Sequence, residues 1–310
     1  MTLGEFEARF ASEESCRDFL FALRWPEGFR CPRCGGSKAW PVSATLFECS
    51  TCAYQASVTA GTIFQDTHKP LTTWFRAAWW VTNQKTGASA LGLKRLLGLG
   101  SYQTAWAWLH KFRRAMVRPG RDRLCGRVEV DETYVGGWEE GRRGRPGVQS
   151  KKALIVIAAQ EDGTRIGRIR MRRIASACAE NLHAFVQEAI EPGSWVLTDG
   201  WNAYSGLQDK GYLHEADVSR DDSALLPRVH RVASLLKRWL LGTHQGAVSH
   251  DHLDYYLDEF TFRFNRRSSK HRGKLFYRLL QQAVAVEPTP YSKLIRNVRG
   301  LRNQKHKRLG

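Results

Sequence analysis

The sequence predicts a mixed α/β protein in which a small cysteine-rich module and a helical region precede a larger domain built on a β-sheet. Two closely spaced cysteine pairs lie near the N-terminus, helical periodicity follows them, and strand-like segments dominate after residue 127. These changes of pattern set the expected boundaries. We predict an N-terminal helix with the cysteine module at 1–60 and a helical region at 61–118. A sheet-based domain at 119–285 and a basic tail at 286–310 are expected to follow.

The chain is strongly basic. It has 48 lysines and arginines against 30 acidic residues, which gives a net charge of +18 and a pI near 9.9. An excess of this size predicts a polyanionic partner, and nucleic acid is the first candidate. The longest apolar stretch, at 153–159, is too short to span a membrane, and the acidic N-terminus lacks the hydrophobic core of a signal peptide. We therefore expect a cytoplasmic protein without a membrane partner.

The cysteine pairs have the spacing of a metal site. They read Cys31-Pro-Arg-Cys34 and Cys49-Ser-Thr-Cys52, each in the sequence of a tight turn. A two-residue spacer lets both thiolates of a pair reach one tetrahedral ion, so the four sulfurs predict a zinc ribbon. The alternatives are two disulfides or four unrelated thiols, and a cytosolic setting disfavours the disulfides. The spacing does not decide whether the ribbon binds DNA, RNA or protein.

The segment 71–116 predicts a helix-turn-helix. Apolar residues recur through it at spacings of three and four, and a glycine-containing turn at 98–101 separates two of its helices. The second of these helices is expected to enter a major groove of DNA. The basic residues off its apolar face, which we expect to contact DNA, are Lys111, Arg113 and Arg114. The alternative is an ordinary helical hairpin inside a helical subdomain.

A second basic segment lies between two predicted strands. The loop at 141–152 reads G-R-R-G-R-P-G-V-Q-S-K-K and contains no acidic residue to balance its charge. We predict that it follows a phosphate backbone, whereas the alternative is a solvated charged hairpin. Its candidate DNA-binding residues are Arg142, Arg143, Arg145, Lys151 and Lys152.

Two aspartates lie where a carboxylate is costly to bury. Asp131 interrupts V-E-V-D-E and Asp199 ends V-L-T-D-G, so each needs a cation or an ion-pair partner. The predicted order of three strands, a helix, a strand and a helix is that of a ribonuclease-H-like domain, in which the first and fourth strands are adjacent. We therefore expect both side chains to converge on two divalent ions suited to phosphoryl transfer. Alternatively each aspartate is an N-cap or a turn former, and Asp199-Gly200 is a plausible turn pair.

Five segments of the chain carry a family resemblance. They read R-W-P-E-G-F-R-C-P-R-C-G at 24–35, V-E-V-D-E-T-Y-V-G-G at 128–137, L-T-D-G-W-N-A-Y at 197–204, S-L-L-K-R-W-L-L-G-T-H at 234–244 and Y-L-D-E-F-T-F-R-F-N-R-R at 256–267. On these segments the chain resembles bacterial insertion-sequence transposases of the DDE superfamily, in the group with an N-terminal zinc ribbon and a ribonuclease-H-like catalytic domain.

The resemblance implies an activity and partners. It implies an enzyme that binds the terminal inverted repeats of its element as double-stranded DNA, nicks the ends and joins the freed 3′ hydroxyls to target DNA. It also implies a homo-oligomer, because two transposon ends must be brought together, and a nucleoid-associated protein in the bacterial cytoplasm. The catalytic cofactor implied is Mg²⁺ or Mn²⁺.

The resemblance also assigns roles to individual residues. Asp131 and Asp199 match the first two metal-binding acids of the family, and Lys237 matches a lysine expected to touch a DNA phosphate. Counting seven residues back from Lys237 gives His230, where the family usually has glutamate, aspartate or sometimes asparagine. Mg²⁺ prefers oxygen whereas Mn²⁺ tolerates nitrogen, so we expect an active site that is more tolerant of manganese than an all-carboxylate one.

Other residues could take the third ligand position. Asp221 and Asp222 lie in a predicted loop, and Glu259 lies on the helix after the one that carries Lys237. We expect His230 to be the ligand. The basic neighbours of Lys237 on its helix, which are further candidates for contact with DNA, are Arg231 and Arg238.

Two other functions compete with the transposase interpretation. A decayed or domesticated DNA-binding protein would keep the zinc ribbon and the helix-turn-helix without catalysis, and His230 is the one feature that fits it. The other competing function is that of a zinc-ribbon transcription factor or RNA-binding module. Such a protein does not need two converging acids, so the sheet-based domain that carries them argues against this function.

Overall fold

The structure is a computed structural model that describes residues 1–117, 120–136, 152–216, 226–246, 248–269 and 273–296. Its contacts divide the chain into two compact units. The first combines Met1–Arg118 with Ser269–Asn297, and the second includes Pro119–Ser268. Among the residues described, no helix combines the length and the apolar composition needed to cross a bilayer.

Helices and strands occur in both units. In chain order the helices are α1 (Leu3–Arg9), α2 (Glu13–Arg24), α3 (Leu71–Asn83), α4 (Ala90–Leu97), α5 (Tyr102–Ala115), α6 (Ala179–Ala189), α7 (Pro227–His244), α8 (Leu253–Phe264), α9 (Gly273–Ala283) and α10 (Tyr291–Arg296). The strands are β1 (Ala39–Pro41), β2 (Leu46–Cys49), β3 (Gln55–Ser57), β4 (Arg127–Val135), β5 (Ala153–Asp162), β6 (Arg165–Ile174), β7 (Trp195–Thr198) and β8 (Leu213–Ala216).

The cysteine module folds as a small antiparallel sheet in the order β1-β2-β3. Ala39 of β1 pairs with Cys49 of β2, and Leu46 of β2 pairs with Ser57 of β3. Cys49 is the last residue of β2, so the second cysteine pair occupies the turn between β2 and β3. This arrangement is the predicted zinc ribbon.

An aromatic core joins the N-terminal helices to a helix near the C-terminus. The ring of Phe276 on α9 is fully buried, and its centre lies 5.6 Å from that of Phe6, 5.4 Å from Phe10 and 5.9 Å from Phe75. Helix α9 therefore packs in the first unit, although the sequence analysis assigned everything up to residue 285 to the sheet-based domain. Periodicity shows which face of a helix is apolar, but it does not show which partner covers that face.

Helices α4 and α5 are joined by a turn at the predicted place, but α5 is a core helix. Gly98 ends α4 in the left-handed region at φ 60°, and the Ser101 hydroxyl accepts the N–H of Thr104 at the start of α5. The buried residues of α5 point in several directions around the helix and are Ala105, Ala107, Trp108, Leu109, His110, Phe112, Arg113 and Ala115. Burial on several sides is what the alternative interpretation, a helical hairpin inside a helical unit, expects, and the helix-turn-helix stays a prediction.

Three basic residues of α5 were predicted to contact DNA, and for Arg113 this prediction is wrong. Its side chain is 2% exposed, and its Nη1 lies 3.4 Å from Nε2 of His110. Lys111 lies with its Nζ 5.7 Å from the centre of the Trp74 ring, and burial lowers its pKa. Arg114 is half-buried. The sequence showed that Arg113 lies off the main apolar stripe, but not that the folded unit buries its side chain.

The second unit contains a five-stranded mixed sheet in the order β6-β5-β4-β7-β8. Strands β4, β5 and β6 form antiparallel pairs, whereas β4 pairs in parallel with β7, and β7 with β8. The first and fourth strands of this unit are therefore neighbours. The predicted ribonuclease-H-like order is confirmed.

Helices cover both faces of this sheet. Val128 and Val156 face α6 and form one core with its Phe185. Ile157 faces α7 and α8 and forms a second core with Leu236 of α7. Because side chains alternate along a strand, the odd-numbered residues of β4 point toward α7. The candidate acid Asp131 lies on that face.

We predict that Arg113→Ala destabilises the protein without a selective effect on DNA binding. Removing a buried, hydrogen-bonded guanidinium leaves its partners unsatisfied, so the free energy of unfolding should fall by about 2 kcal/mol in a urea titration. The exposed Arg95 on α4 provides the matched control, and Arg95→Ala should change stability by less than about 0.5 kcal/mol. A loss of DNA affinity at unchanged stability in the Arg113 variant would instead make α5 a DNA-contacting helix.

Candidate active site

Strand pairing brings the two aspartates to adjacent positions. Strands β4 and β7 pair in parallel, with Arg127 opposite Trp195 and Glu129 opposite Leu197. The same register, continued by two residues, sets Asp131 beside Asp199, which directly follows the last residue of β7. Two carboxylates from different parts of the chain therefore lie side by side near the centre of the sheet.

Asp131 is enclosed and contacts the predicted third ligand. Its Oδ2 lies 3.3 Å from Nε2 of His230, and its Oδ1 accepts the backbone N–H of Glu132 at 2.7 Å. Burial raises the pKa of Asp131; the N–H of Glu132 and the imidazole of His230 oppose this rise, and the carboxylate of Asp199 adds to it. A divalent cation would relieve the repulsion between the two acids. The donor set of two carboxylates and one imidazole fits such an ion.

One face of α7 completes the site. A cavity of about 420 Å³ lies between β4 and this helix, and we call it the catalytic cavity. Its lining residues are Asp131, Thr133, His230, Ala233, Ser234 and Lys237. At 3.6 residues per turn, the helical residues in this set fall on one side of α7, as the sequence predicted for His230, Ser234 and Lys237.

Glu129 anchors the beginning of α7 to β4. Its buried carboxylate accepts the backbone N–H groups of Arg228 at 2.7 Å and Val229 at 2.9 Å, and the Arg228 guanidinium at 2.9 Å. The first N–H groups of a helix lack partners within the helix, and they favour a negative charge. Leu226 precedes the helix in the left-handed region, at φ 48°. Glu129 therefore sets the position of α7 against the strand that carries Asp131.

Sequence reasoning placed Glu129 on the same face as Asp131 but gave it no role. A signal was present, because Pro227 at the start of α7 marks a helix N-terminus whose N–H groups need an acceptor. Glu129 and Arg228 are far apart in the chain, so the sequence did not indicate that Glu129 is this acceptor. Arg228 also binds the carboxylate of Glu161 at 3.1 Å, which extends the same network to β5.

The segment after β7 is held by several hydrogen bonds. Oδ1 of Asp199 accepts the backbone N–H of Trp201 at 3.0 Å, so this aspartate also forms the turn that the alternative interpretation described. The indole N–H of Trp201 binds the carbonyl of Ala177 at 3.1 Å, and the Tyr204 hydroxyl donates to Glu132 at 2.8 Å. Turn formation and a metal-binding role are compatible, since a carboxylate has two oxygens.

The other predicted residues are distributed as follows. Glu259 is buried, pairs with Arg263 at 2.8 Å and does not line the catalytic cavity. Arg231 and Arg238 are exposed on α7, and Lys152 is half-buried next to β5. The predicted residues that lie outside the described part of the chain are Arg142, Arg143, Arg145, Lys151, Asp221 and Asp222.

The four ribbon cysteines form a second potential metal site. Their sulfur atoms all lie within 4.8 Å of one another, with Cys31 3.7 Å from Cys52 and Cys34 3.6 Å from Cys49. Zinc–sulfur bonds of about 2.3 Å in a tetrahedron separate the sulfurs by about 3.8 Å. All four are free thiols, so the disulfide alternative is not realised. The backbone N–H of Thr51, followed by that of Cys52, lowers the pKa of Cys49 to about 6, which favours the thiolate that zinc binds.

Zinc content tests this site. We expect one zinc ion per chain by mass spectrometry and its loss in Cys49→Ser, because three sulfurs do not close a structural site. Protons compete with zinc for the thiolates, so zinc should be retained at neutral pH and released as the pH falls. Cys125→Ser, a change at an exposed free thiol outside the ribbon, is the control and should keep its zinc. Equal zinc content in both variants would contradict the assignment.

We also predict that Glu129 contributes strongly to stability. Glu129→Ala should lower the free energy of unfolding by about 3 kcal/mol in a urea titration, because it leaves Arg228 and the helix N–H groups without their buried acceptor. Glu161→Ala is the matched control, since it removes the more exposed partner of Arg228 and should cost less than about 1 kcal/mol. Similar losses in the two variants would show that Glu129 does not anchor the helix.

Comparison with known proteins assigns the chain to a family. Residues 11–55 match the transposase zinc-ribbon domain, and residues 123–265 match the ISXO2-like transposase domain. A search of the curated proteins found no match.

Solved structures similar to the chain include the crystal structure of the Mos1 strand transfer complex, at 14% identity and a TM-score of 0.30, over 73% of this chain and 82% of that one. Another is the Mos1 transposase paired-end complex with left transposon end, at 13% identity and a TM-score of 0.28, over 69% of this chain and 81% of that one.

The family assignment rests on the two domain matches, which together span more than half of the chain. The chain belongs to the insertion-sequence transposases of the DDE superfamily that carry an N-terminal zinc ribbon.

Proposed function

We propose that this protein is an active transposase that cuts the 3′ ends of an insertion sequence and joins them to target DNA. The observation that carries the proposal is the contact of His230 with Asp131 beside Lys237, with Asp199 next to Asp131 by strand register, inside a domain of the DDE family. A decayed copy has no reason to keep a buried acid beside a second acid, because that arrangement costs stability unless a cation is bound.

Asp131, Asp199 and His230 are proposed as the ligands of the catalytic divalent ions. Bound there, such ions would activate the attacking oxygen and stabilise the leaving oxygen of an in-line phosphoryl transfer. One of the three ligands is a nitrogen, which Mn²⁺ accepts more readily than Mg²⁺. We therefore propose that either ion supports the reaction and that Mn²⁺ supports it relatively better than in an all-carboxylate site.

The basic residues of α7 are proposed to hold the DNA strand. Lys237 lines the catalytic cavity and is exposed, so its ammonium group is available to a phosphate next to the reacting one. Arg231 and Arg238 are exposed on the same helix and would contact phosphates further along. A net charge of +18 supports a large electrostatic contribution to binding, which falls as salt is raised.

The proposed partners are the terminal inverted repeats, the target duplex and a second copy of the chain. Two transposon ends must be held together for paired joining, so at least two copies are expected in the complex with DNA. We place the active protein in the cytoplasm at the nucleoid, where its substrate is found. The zinc ribbon is proposed as a structural module of this complex.

The second candidate function is a DNA-binding protein that has lost catalysis. The imidazole of His230 at the third ligand position favours it, because the family usually has an oxygen ligand there. The two candidates predict the same DNA binding and differ only in chemistry, so a cleavage assay separates them.

Strand transfer should depend on the paired acids. With an oligonucleotide that carries a pre-cleaved terminal repeat, a target duplex and Mn²⁺, we expect joined products from the unchanged protein. Asp131→Asn should lower their yield by more than about 100-fold, since even changes to groups that only support a metal ligand cost 10–100-fold. A matched control is Asp251→Asn, at an exposed acid that does not line the catalytic cavity, which should retain activity. DNA binding without joined products in the unchanged protein would favour the decayed DNA-binding protein.

The identity of the third ligand is tested separately by metal preference. His230→Ala should lose most strand-transfer activity in both metals, whereas His230→Glu should keep activity and raise the ratio of the Mg²⁺ rate to the Mn²⁺ rate by about tenfold, because an oxygen ligand replaces nitrogen. His68→Ala, at an exposed histidine of the first unit, serves as the control. Full activity of His230→Ala would remove this residue from the site.

A further inference from the structure

Asp199 lies beyond the hydrogen-bonded ladder that aligns its strand with β4. The pairing of β4 with β7 ends at Glu129 opposite Leu197, and β7 itself ends one residue before Asp199. The backbone then turns at Gly200, whose φ of 76° is in the left-handed region that glycine adopts without strain. The ladder therefore fixes the chain on one side of Asp199 only, and its position beside Asp131 depends on what holds the chain on the other side.

Tyr204 provides the attachment on that other side. It ends the short 3-10 helix at Asn202–Tyr204, its side chain is fully buried, and its hydroxyl donates to the Glu132 carboxylate at 2.8 Å. Glu132 directly follows Asp131 in β4. The chain that leaves the ladder before Asp199 thus returns to β4 one residue after Asp131, so Asp199 is held from both sides.

Hydrogen bonds also join Asp199 to Tyr204 within the turn. Oδ1 of Asp199 accepts the backbone N–H of Trp201 at 3.0 Å, and the carbonyl of Trp201 accepts the backbone N–H of Tyr204 at 2.9 Å. With the bond from Tyr204 to Glu132, three successive hydrogen bonds connect the side chain of one acid to the residue next to the other. A displacement of the Tyr204 ring would therefore be transmitted to the Asp199 carboxylate.

The pair formed by Glu132 and Tyr204 lies against an apolar core. Side chains alternate along β4, so Glu132 shares the face of Val130, whose core also contains Tyr204. A carboxylate and a hydroxyl in such a place cost stability unless they bind each other, and an aliphatic pair would pack there at lower cost. Burial and then the Glu132 carboxylate raise the pKa of Tyr204. Asp131 and Asp199 raise it further, because the hydroxyl lies close to both acids.

We propose that Tyr204 is a positioning residue of the candidate active site: by binding Glu132, it holds Asp199 where this carboxylate and Asp131 bind the same divalent ion. The inference rests on the proposed function, which assigns both acids to the metal. Tyr204 acts through Asp199 and does not itself bind the ion. Without its hydroxyl the turn is released from β4, and the affinity for the metal falls because one ligand is no longer held in place.

The manganese affinity of the full-length protein tests this role. Binding is followed by the electron paramagnetic resonance signal of free Mn²⁺, and the catalytic site is defined as the binding that Asp131→Asn abolishes. Tyr204→Phe removes only the hydroxyl, and we expect it to raise the dissociation constant for Mn²⁺ by about tenfold, as for other groups that support a metal ligand. Tyr212→Phe is the matched control, because Tyr212 is buried in the same core and its hydroxyl donates to the Ile190 carbonyl at 3.1 Å. This control should lower stability to a similar extent and leave the Mn²⁺ affinity unchanged.

Substitutions of Glu132 identify the partner through which Tyr204 acts. Glu132→Ala removes the acceptor and should weaken Mn²⁺ binding about as much as Tyr204→Phe does. Glu132→Gln keeps an oxygen that accepts the tyrosine hydroxyl, so it should retain most of the affinity. The double variant of Tyr204→Phe with Glu132→Ala should bind Mn²⁺ no more weakly than either single variant, because both changes remove the same hydrogen bond.

Strand transfer gives a second readout, which a loss of folded protein would not reproduce. With limiting Mn²⁺ the rate of Tyr204→Phe should fall by about tenfold, and with saturating Mn²⁺ it should return close to the rate of the unchanged protein. A fall by the same factor at both concentrations would reflect a smaller folded fraction and would contradict the positioning role.

The outcomes distinguish this inference from the proposed function. An Mn²⁺ affinity that Tyr204→Phe and Tyr212→Phe leave equally unchanged would overturn the positioning role and leave the transposase proposal intact. Weaker binding in Tyr204→Phe, with binding retained in Glu132→Gln, supports the role even if the unchanged protein joins no DNA, and that failure counts against the proposed function alone. The absence of an Asp131-dependent Mn²⁺ site in the unchanged protein would overturn both.

Discussion

The buried carboxylate of Glu129 joins the central strand β4 to helix α7, and the geometry of the candidate active site depends on that join. It accepts two N–H groups from the first turn of α7 together with the Arg228 guanidinium. The cost of burying its charge is offset by these hydrogen bonds and by the positive end of the helix dipole. Asp131 lies two residues further along the same face of β4, and His230 directly follows an N–H group that Glu129 binds. Their 3.3 Å separation is therefore a consequence of this connection.

The distribution of charge follows from the same arrangement. At the centre of the sheet two acids lie close together, and burial raises the pKa of Asp131. The site therefore favours a bound cation. The chain as a whole carries a net charge of +18, and the exposed face of α7 is basic. Under the proposed function these opposite charges are complementary, because the acids bind the catalytic ions whereas the basic residues bind the DNA phosphates.

Each of the two compact units has its own stabilising core. In the first unit, phenylalanine rings from α1 and α3 pack against Phe276 of α9, and four thiols with the spacing of a zinc site hold the ribbon. In the second unit, helices cover both faces of the sheet, with separate apolar cores. The chain enters the second unit after the helical region and returns to the first with α9, so the sheet-based unit is an insertion between parts of the helical one. The sequence pattern of α9 is strongly amphipathic, which does not reveal the unit it joins.

The sequence by itself determined the ribbon, the strand order and the two acids, because these depend on local spacing and on the period of apolar residues. Cysteine pairs two residues apart and an aspartate at the end of an apolar strand are visible without any tertiary contact. Tertiary structure alone decided the burial of Arg113, the partnership of Glu129 with the start of α7, and the packing of α9 in the first unit. Each of these joins or encloses residues that are distant in the chain, and periodicity carries no information about which surfaces will meet.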